Sequence, residues 1–478
     1  MIALKFILIV LGLFIYLSKV AEFLYRFQIK EYRFDRFRSG VRDWGWGSLL
    51  FAPRLVLPAA SVRNLGIGGF LGFFGVVFTC FLYYYSLPVL IGFVLLAPVV
   101  ALLDVAVLVA LTGIPVAWHR ERMIKRAERK LAGSQAQVIA VTGSFGKTSV
   151  KEFLYTLLIA DRKVAKTDKN RNTDVGVALS ILKNLKPYTE YFIAEMGAYR
   201  IGEIAKICRS FPPRMVVVTA FGNQHLDLYG SKENLVAAES EPLAFLGKGD
   251  TAYLNADIPE YRDLTKLGPY RVVSYSMKDS RADIWAEDLT TSYRGTTATI
   301  HTPKGSIHLK TKLLGRHTVQ NLLPAIAVAL DTGLGVEEIR EGIGQLVAIP
   351  DKGSLHVNAQ KTTIYSDASN SNVDGFIELL RIAGTFPQKN RLVVSKGIIE
   401  LGNEKLPSYR RILKELAGSG CSLLTTDRDF ERAGMRRHDV TVFPDEEAIR
   451  TALEPMQGKD TLICIEGRFT PGFIRSLH

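Results

Sequence analysis

The hydrophobic pattern changes character near residue 120: before it apolar residues run almost unbroken, and after it they recur in short blocks. Ile2 to Leu24 is a long apolar run with Lys5, Lys19 and Glu22 as its only charges. It is too long for a signal-peptide core and no small-residue cleavage site follows it, so it predicts a transmembrane anchor. Leu65 to Trp118 is apolar far beyond the roughly 20 residues that one spanning helix needs. Tyr83-Tyr84-Tyr85-Ser86-Leu87-Pro88 reads as an interfacial turn that splits this run into a hairpin of about 65–85 and 89–116. With a first span at about 2–24, residues 1–118 form a three-span membrane region. The stretch 25–63 alternates Arg26, Lys30, Arg33, Arg36, Arg38 and Arg42 with Tyr32, Phe34, Phe37, Trp44 and Trp46. That pattern suits a segment lying on anionic headgroups, with an RNA-binding strip as the competing reading. The positive-inside rule puts this loop and the chain after 118 in the cytoplasm, at a cell membrane, and the tyrosine turn outside. Asp104 is the lone charge in the hairpin, and either a functional group or a structural one near a headgroup or a basic partner.

Arg120–Leu131 reads as a charged helical linker. Beyond it apolar strands alternate with helical patterns, as in a soluble α/β protein. Candidate strands are Val138–Val141, Tyr191–Ala194, Met215–Thr219 and Thr251–Leu254. Short alternating strands follow between Ile284 and Leu313, with turns at Tyr293-Arg294-Gly295 and Pro303-Lys304-Gly305. A helix from Asn321 to Thr332 ends at Gly333. After Pro350 a second α/β unit begins, with strands near Thr362–Ser366, Arg391–Val394, Ser422–Thr425 and Thr461–Ile465. The pattern therefore predicts a central domain over 119–350 and a Rossmann-like C-terminal domain over 351–478.

The net charge of +13 over 478 residues suggests nucleic acid at first sight. Much of it, however, flanks the apolar segments, in 25–63 and 119–130, which argues for a membrane protein with no nucleic-acid partner. Cys80, Cys208, Cys421 and Cys464 form no C-x-x-C pair, so neither a zinc site nor a disulfide framework is expected, and four buried, inert thiols are.

The chemistry begins at Val138-Ile-Ala-Val-Thr-Gly-Ser-Phe-Gly-Lys-Thr-Ser-Val150. A β-branched apolar strand breaks into a glycine turn, and Lys147-Thr148-Ser149 opens an apolar-periodic helix through Leu158. This is a phosphate-binding loop of the short G-x-x-G-K-T spacing. Backbone N–H groups of Gly143, Ser144, Gly146 and Ser149 and the positive helix end would cradle phosphate, Lys147 would reach the β/γ oxygens, and Thr148 would bind magnesium. A nucleoside triphosphate is the expected ligand. Further along, strand ends deliver Glu195, then Gly222-Asn-Gln-His225, and Glu239 follows on a helical stretch. Carboxylates at strand ends beside a phosphate loop are where a nucleotide-bound magnesium needs oxygen ligands.

The segments TGSFGKTS (142–149), KNRNTDVGVALSIL (169–182), EMGAYRIGEI (195–204) and TAFGNQHLDLYGS (219–231) resemble the Mur ligases, the ATP-dependent amide-forming enzymes of peptidoglycan synthesis. So do LGRHTVQNLLPAIAVA (314–329), SDASNSN (366–372) and IELGN (399–403), and the wording is nearest the branch that adds D-alanyl-D-alanine to a UDP-muramoyl tripeptide. The resemblance implies a substrate carboxylate that attacks ATP, and an amine that displaces phosphate from the resulting acyl phosphate. It implies that Lys147 and Thr148 hold phosphate and magnesium, that Glu195 and His225 bind magnesium, and that Asn170 and Asn172 lie beside nucleotide and acceptor. Asn321 matches an asparagine near the adenine, and Asp367 and Asn370 match the closing motif of the C-terminal domain. Lys147, Glu195, His225 and Glu239 would carry the catalysis.

The departures from the family pattern matter. Where most Mur ligases place a carbamylated lysine on a second magnesium, this chain has Glu239, read as a functional replacement and so a fourth candidate metal ligand. Ser369-Asn-Ser-Asn-Val373 replaces an aromatic-Asn-Ala-Asn-Pro motif, Ser354 replaces a junction arginine, and Glu466 replaces a late lysine. The last two fall where substrate binding is expected. Membrane spans and a short linker stand before the phosphate loop where a UDP-sugar-binding domain is expected. The expectation is thus a membrane-anchored ligase with ATP and Mg2+, membrane lipids around it, a cell-wall peptide precursor as acceptor (lipid-linked in one form), and an amino acid or D-alanyl-D-alanine-like dipeptide as donor. A poly-γ-glutamate type of polymer ligase and a catalytically impaired nucleotide-binding regulator are the alternatives.

Overall fold

The computed structural model describes residues 2–30, 32–51, 56–222, 229–368, 371–398, 401, 404–434 and 439–477. The chain divides into two compact units, Met1–Arg122 and Met123–His478.

The first unit is helical. Ile2–Ile29, Val62–Leu82 and Leu87–Ala132 are each long and apolar enough to cross a membrane. Shorter helices, Phe34–Trp44 and Trp46–Phe51, occupy the basic-aromatic stretch. The proposed linker is not a separate element: helix Leu87–Ala132 runs straight through it and its residues from Met123 on belong to the second unit. Arg120–Lys130 is rich in helix-favouring charged residues, and no breaker appears before Gly133. The first helix likewise continues past Leu24. Glu22 is buried between two cations, accepting from Lys19 Nζ at 2.8 Å and from Arg26 Nε at 2.9 Å, while Lys19 also donates to the Leu49 carbonyl. Asp104 accepts a hydrogen bond from Tyr16 Oη at 2.8 Å. Tyr16, Val20, Phe23, Phe27, Ile67, Leu71, Ala101 and Val105 pack into the core of this unit. Phe6, Phe14, Phe73, Leu95, Leu103 and Ile114 are exposed on its outside, as lipid-facing residues would be. Cys80 is also exposed, contrary to the expectation of four buried thiols; Cys208, Cys421 and Cys464 are buried, and all four are free.

In the second unit β1 (Gln137–Thr142), β2 (Val164–Lys166), β3 (Tyr191–Glu195), β4 (Pro213–Val218), β5 (Thr251–Asn255), β6 (Arg271–Ser276), β7 (Ile284–Ser292), β8 (Gly295–Thr302) and β9 (Gly305–Thr311) form one sheet. Its order is β2-β3-β1-β4-β5-β6-β7-β8-β9, parallel as far as β7 and antiparallel beyond. Successive side chains of β1 leave on opposite faces. Ile139 and Val141 enter a core with helices Lys147–Leu158 and Arg316–Asp331; Val138 and Ala140 enter another with helices Asp174–Asn184 and Glu203–Ser210. With both faces covered, β1 can be apolar throughout, which is how it reads in the sequence.

The second sheet holds β10 (Ser354–Val357), β11 (Thr363–Asp367), β12 (Asn390–Ser395), β13 (Ser422–Thr425), β14 (Val440–Val442) and β15 (Thr461–Glu466) in the order β10-β11-β15-β12-β13-β14. All pairings are parallel except β10 with β11. Strands β2, β6, β10 and β14 went unread in the sequence. Three of these four are edge strands of three or four residues, too short for alternation to show. The helix expected from Asn321 begins at Arg316, after Gly315 turns the backbone at φ 94°, and carries Pro324 inside.

Glu22 is a buried carboxylate between two buried cations. Glu22→Gln keeps its shape and removes its charge, and should lower stability by about 3–5 kcal/mol. Thermal melting of the detergent-solubilised chain checks this, and an unchanged midpoint would contradict it.

Candidate active site

The loop after β1 takes its shape from two glycines in left-handed backbone, Gly143 at φ 121° and Gly146 at φ 80°. A Cβ on Gly143 would collide with Thr219 Oγ1, and one on Gly146 with Asn321 Oδ1, so both positions need glycine for conformation and for space. Ser144 N–H donates to the Ala220 carbonyl at 2.7 Å, tying the loop to the end of β4. Ser144 Oγ is buried without a hydrogen-bond partner. Lys147 starts the helix and turns its ammonium back onto the Gly143 carbonyl. An unpartnered hydroxyl, a helix N-terminus and a lysine folded over the loop make an anion cradle.

Two buried carboxylates flank this cradle. Glu195, at the end of β3, faces Thr148 Oγ1 at 3.2 Å with one oxygen and Lys151 Nζ at 3.1 Å with the other. Lys151 is fully buried and also donates to the Lys169 carbonyl at 2.5 Å. Glu239, at the end of helix Lys232–Ser240, accepts from the Thr142 hydroxyl at 2.6 Å and from Gly143 N–H at 2.9 Å. Its second oxygen stands 3.8 Å from Lys147 Nζ. Glu239 thus braces the loop and faces its lysine. Asn170 is exposed, while Asn172 lies against Gly197 and accepts that residue's N–H at 3.0 Å through its own carbonyl. The segment carrying both asparagines is thereby fixed beside Glu195.

The C-terminal half contributes a second group. Asp367, at the end of β11, is held above the usual carboxylate range by burial, against the pull of His317 and Lys352. Lys352 is held below the usual lysine range by burial, and feels Glu195, Lys151, Lys147 and Asp367. A crevice lined by Ser149, Phe153, His317, Asn321, Lys352 and Gly353 joins the two halves. Glu466, adjacent to Asp367 across the β11–β15 pairing, is fully buried and accepts from Ser371 Oγ at 2.6 Å and Ser395 Oγ at 2.9 Å. Burial pushes its carboxyl up to about 8, the serine hydroxyls oppose that, and Asp367 adds to it. Ser354 accepts from Asp351 N–H at 3.2 Å.

The structure therefore brings together Gly143, Ser144, Gly146, Lys147, Thr148, Glu195, Glu239, Asn172 and Asn321, with Ser149 on the crevice wall beside Asn321. His225 and Asn370 lie outside the described residues. Among the described residues no group of three His, Cys, Asp or Glu is gathered. Thr148 and Glu195 nonetheless fit magnesium, which needs only one or two protein oxygens when phosphate and water supply the rest. Lys151, His317 and Lys352 escaped the sequence reading. Lys151 had a signal: it is a lysine on the buried face of the helix, one turn after Lys147.

The loop, the flanking carboxylates and the parallel sheets define a phosphate-loop nucleotide-binding α/β protein with a second doubly wound sheet. Residues 141–329 match the Mur ligase middle domain. The UDP-N-acetylmuramoyl-tripeptide–D-alanyl-D-alanine ligase of Escherichia coli K12 is 28% identical over 338 residues, covering 69% of this chain and 73% of that protein. Among solved structures, MurF of Acinetobacter baumannii has a TM-score of 0.67 at 21% identity, covering 75% of this chain and 80% of that one. MurF ligase of Thermotoga maritima in complex with ADP has a TM-score of 0.66 at 23% identity, with 75% and 82% covered. Residues 141–329 thus match a Mur ligase middle domain, and the chain is similar to D-alanyl-D-alanine-adding ligases in sequence and to MurF in fold.

Two outcomes follow from this geometry. Lys151→Met leaves Glu195 buried opposite no ammonium and should cost about 3–5 kcal/mol of stability, read by thermal or denaturant melting. For Glu466 the native state holds a proton that the unfolded chain releases at its ordinary 4.5, up to about 8. Its contribution is thus full at acid pH and is lost as pH rises through 8. Relative to wild type, Glu466→Gln should gain stability steadily between pH 5 and 8, by a few kcal/mol at ~1.4 kcal/mol per unit; parallel pH–stability curves would overturn this.

Proposed function

We propose that the chain is a membrane-anchored, cytoplasm-facing ligase of Mur type that uses ATP to join a substrate carboxylate to an amine, with a D-alanyl-D-alanine-like donor and a lipid-linked cell-wall peptide as acceptor. The observation that carries the reading is the pairing of Lys147 with Glu239 and of Lys151 with Glu195 around one phosphate loop. Backbone amides of the loop, Ser144 and Lys147 bind the nucleotide phosphates and orient the terminal one. Thr148 and Glu195 would hold magnesium, with Glu239 and His225 as further candidates. When bound, that ion neutralises charge on the β- and γ-phosphate oxygens. Lys151 keeps Glu195 in position. The N-terminal sheet holds the nucleotide, and Asp367 and Lys352 bring the second sheet to the same crevice.

The lipid-linked acceptor is supported by the three long apolar helices that precede the loop in sequence. Lys5 donates to the Tyr85 carbonyl at one end of this helical unit, and Gln28, Tyr32 and Asn64 meet at the other. The basic stretch and the tyrosine turn at opposite ends of this unit support a positive-inside topology.

The test is ADP and phosphate release from ATP by the full chain in detergent. UDP-muramoyl tripeptide is compared with its lipid-linked counterpart, each with and without D-alanyl-D-alanine. Release only with the lipid-linked acceptor and dipeptide together is expected, and Lys147→Ala or Glu195→Gln should lower it by about 10²–10³-fold. Equal release with the soluble nucleotide would reduce the spans to an anchor. ATP binding with no release on any acceptor would favour a nucleotide-binding regulator.

A further inference from the structure

The phosphate loop is laid on a template, and the template is the end of β4. Thr219, the residue after that strand, is buried. Its N–H donates to the Thr142 carbonyl at 3.0 Å. Its hydroxyl reaches the carbonyls of Thr142, at 3.1 Å, and of Phe145. One side chain thus meets the residue before Gly143 and the residue before Gly146, the two ends of the glycine turn. Next along the chain, the Ala220 carbonyl receives Ser144 N–H.

Peptide planarity gives these contacts a consequence. In a trans peptide the C=O and the N–H that follows it point in opposite directions. The Thr142 carbonyl faces Thr219, and Gly143 N–H accordingly leaves on the other side, to Glu239 at 2.9 Å. The Phe145 carbonyl faces Thr219 in the same way. Gly146 N–H is therefore turned away from β4, toward the open side of the loop where helix Lys147–Leu158 begins.

Thr219 is itself held from farther along the sheet. Its carbonyl accepts from Asn255 Nδ2, at the end of β5, at 2.9 Å and from Tyr275 Oη, in β6, at 3.3 Å. Tyr275 Oη also donates to the Val218 carbonyl at 2.7 Å. Asn255 and Tyr275 are register partners, and Asp257 N–H donates to Asn255 Oδ1 at 2.9 Å, which leaves the amide nitrogen for Thr219. Both side chains are buried, and burial holds the Tyr275 phenol well above its ordinary range, so it stays a donor. Buried polar groups persist where their hydrogen bonds are satisfied, and here two of them converge on one strand end.

Resting on the ligase reading above, we propose that Thr219 is a positioning residue: its hydroxyl holds the Phe145 carbonyl and so aims Gly146 N–H at the β-phosphate of the nucleotide, while Asn255 and Tyr275 keep Thr219 in place. Thr219 acts through the loop and touches neither nucleotide nor acceptor.

The test is ADP binding by the full chain in detergent, in wild type, Thr219→Val, Thr219→Ser and Tyr275→Phe. Thr219→Val keeps the β-branched stem and removes the hydroxyl, and should raise the ADP dissociation constant about tenfold. Thr219→Ser keeps the hydroxyl and should stay within about threefold of wild type. An unchanged constant in Thr219→Val overturns the assignment. So does a Thr219→Ser as weak as Thr219→Val, because a packing defect is not rescued by the smaller serine. Tyr275→Phe removes one oxygen two strands away, and keeps the proposal testable if Thr219→Val does not fold. It should raise the constant about threefold, and no change overturns the relay. Combined with Thr219→Val it should add nothing, since both act through the same hydroxyl; a further loss of about threefold means two independent effects and also overturns it. A wild type that shows this pattern yet releases no phosphate with any acceptor refutes the ligase reading and leaves Thr219 in its role. Phosphate release with ADP affinity indifferent to residue 219 does the reverse.

Discussion

One helix neutralises two buried carboxylates. Lys147 and Lys151 stand one turn apart on Lys147–Leu158, the first facing Glu239 and the second Glu195. Each carboxylate is delivered from a different part of the first sheet, Glu195 from the end of β3 and Glu239 from the helix that follows β4. Strand β1 lies between β3 and β4, so its loop is the place where both can converge. Taking a carboxylate out of water is tolerable only with a charge and hydrogen bonds to receive it. The phosphate loop supplies both, and the loop in turn is held in shape by the Glu239 carboxylate on Gly143 N–H.

The same accounting explains the contrast with the second sheet. There Asp367 and Glu466 sit side by side at strand ends, and among the described residues no cation is bound directly to either. Glu466 resolves this by keeping its proton and accepting from two serines. Burial thus favours its neutral form, which needs no cation to receive it. Asp367 remains the group on which His317 and Lys352 act. The carboxyl ends of parallel strands are where such sheets bind ligands, and both acids lie there.

In the helical unit, polar groups likewise find one another: Glu22 with Lys19 and Arg26, Asp104 with Tyr16, and Arg63 with the Val109 carbonyl and Thr112. Polar side chains in an apolar setting pair or are expelled. The first helix therefore extends through Arg26 instead of stopping where the charges begin.

Local sequence determined the phosphate loop, because glycine conformation, β-branched strand and helix start are all encoded within thirteen residues. It also determined the long strands buried on both faces and the long apolar helices, whose length and composition need no partner to be read. Edge strands such as β2 and β14 were invisible, since three residues carry no period. The identity of each charge's partner belonged to tertiary structure alone. Lys151 reaches Glu195 across 44 positions and Thr142 reaches Glu239 across 97, distances in sequence that only the strand order β3-β1-β4 collapses. Lys352, an unremarkable lysine in a turn, acquires its setting because β10 and β11 fix that turn at the mouth of the other sheet. Burial then gives its charge weight, and burial is a property of the assembled layers.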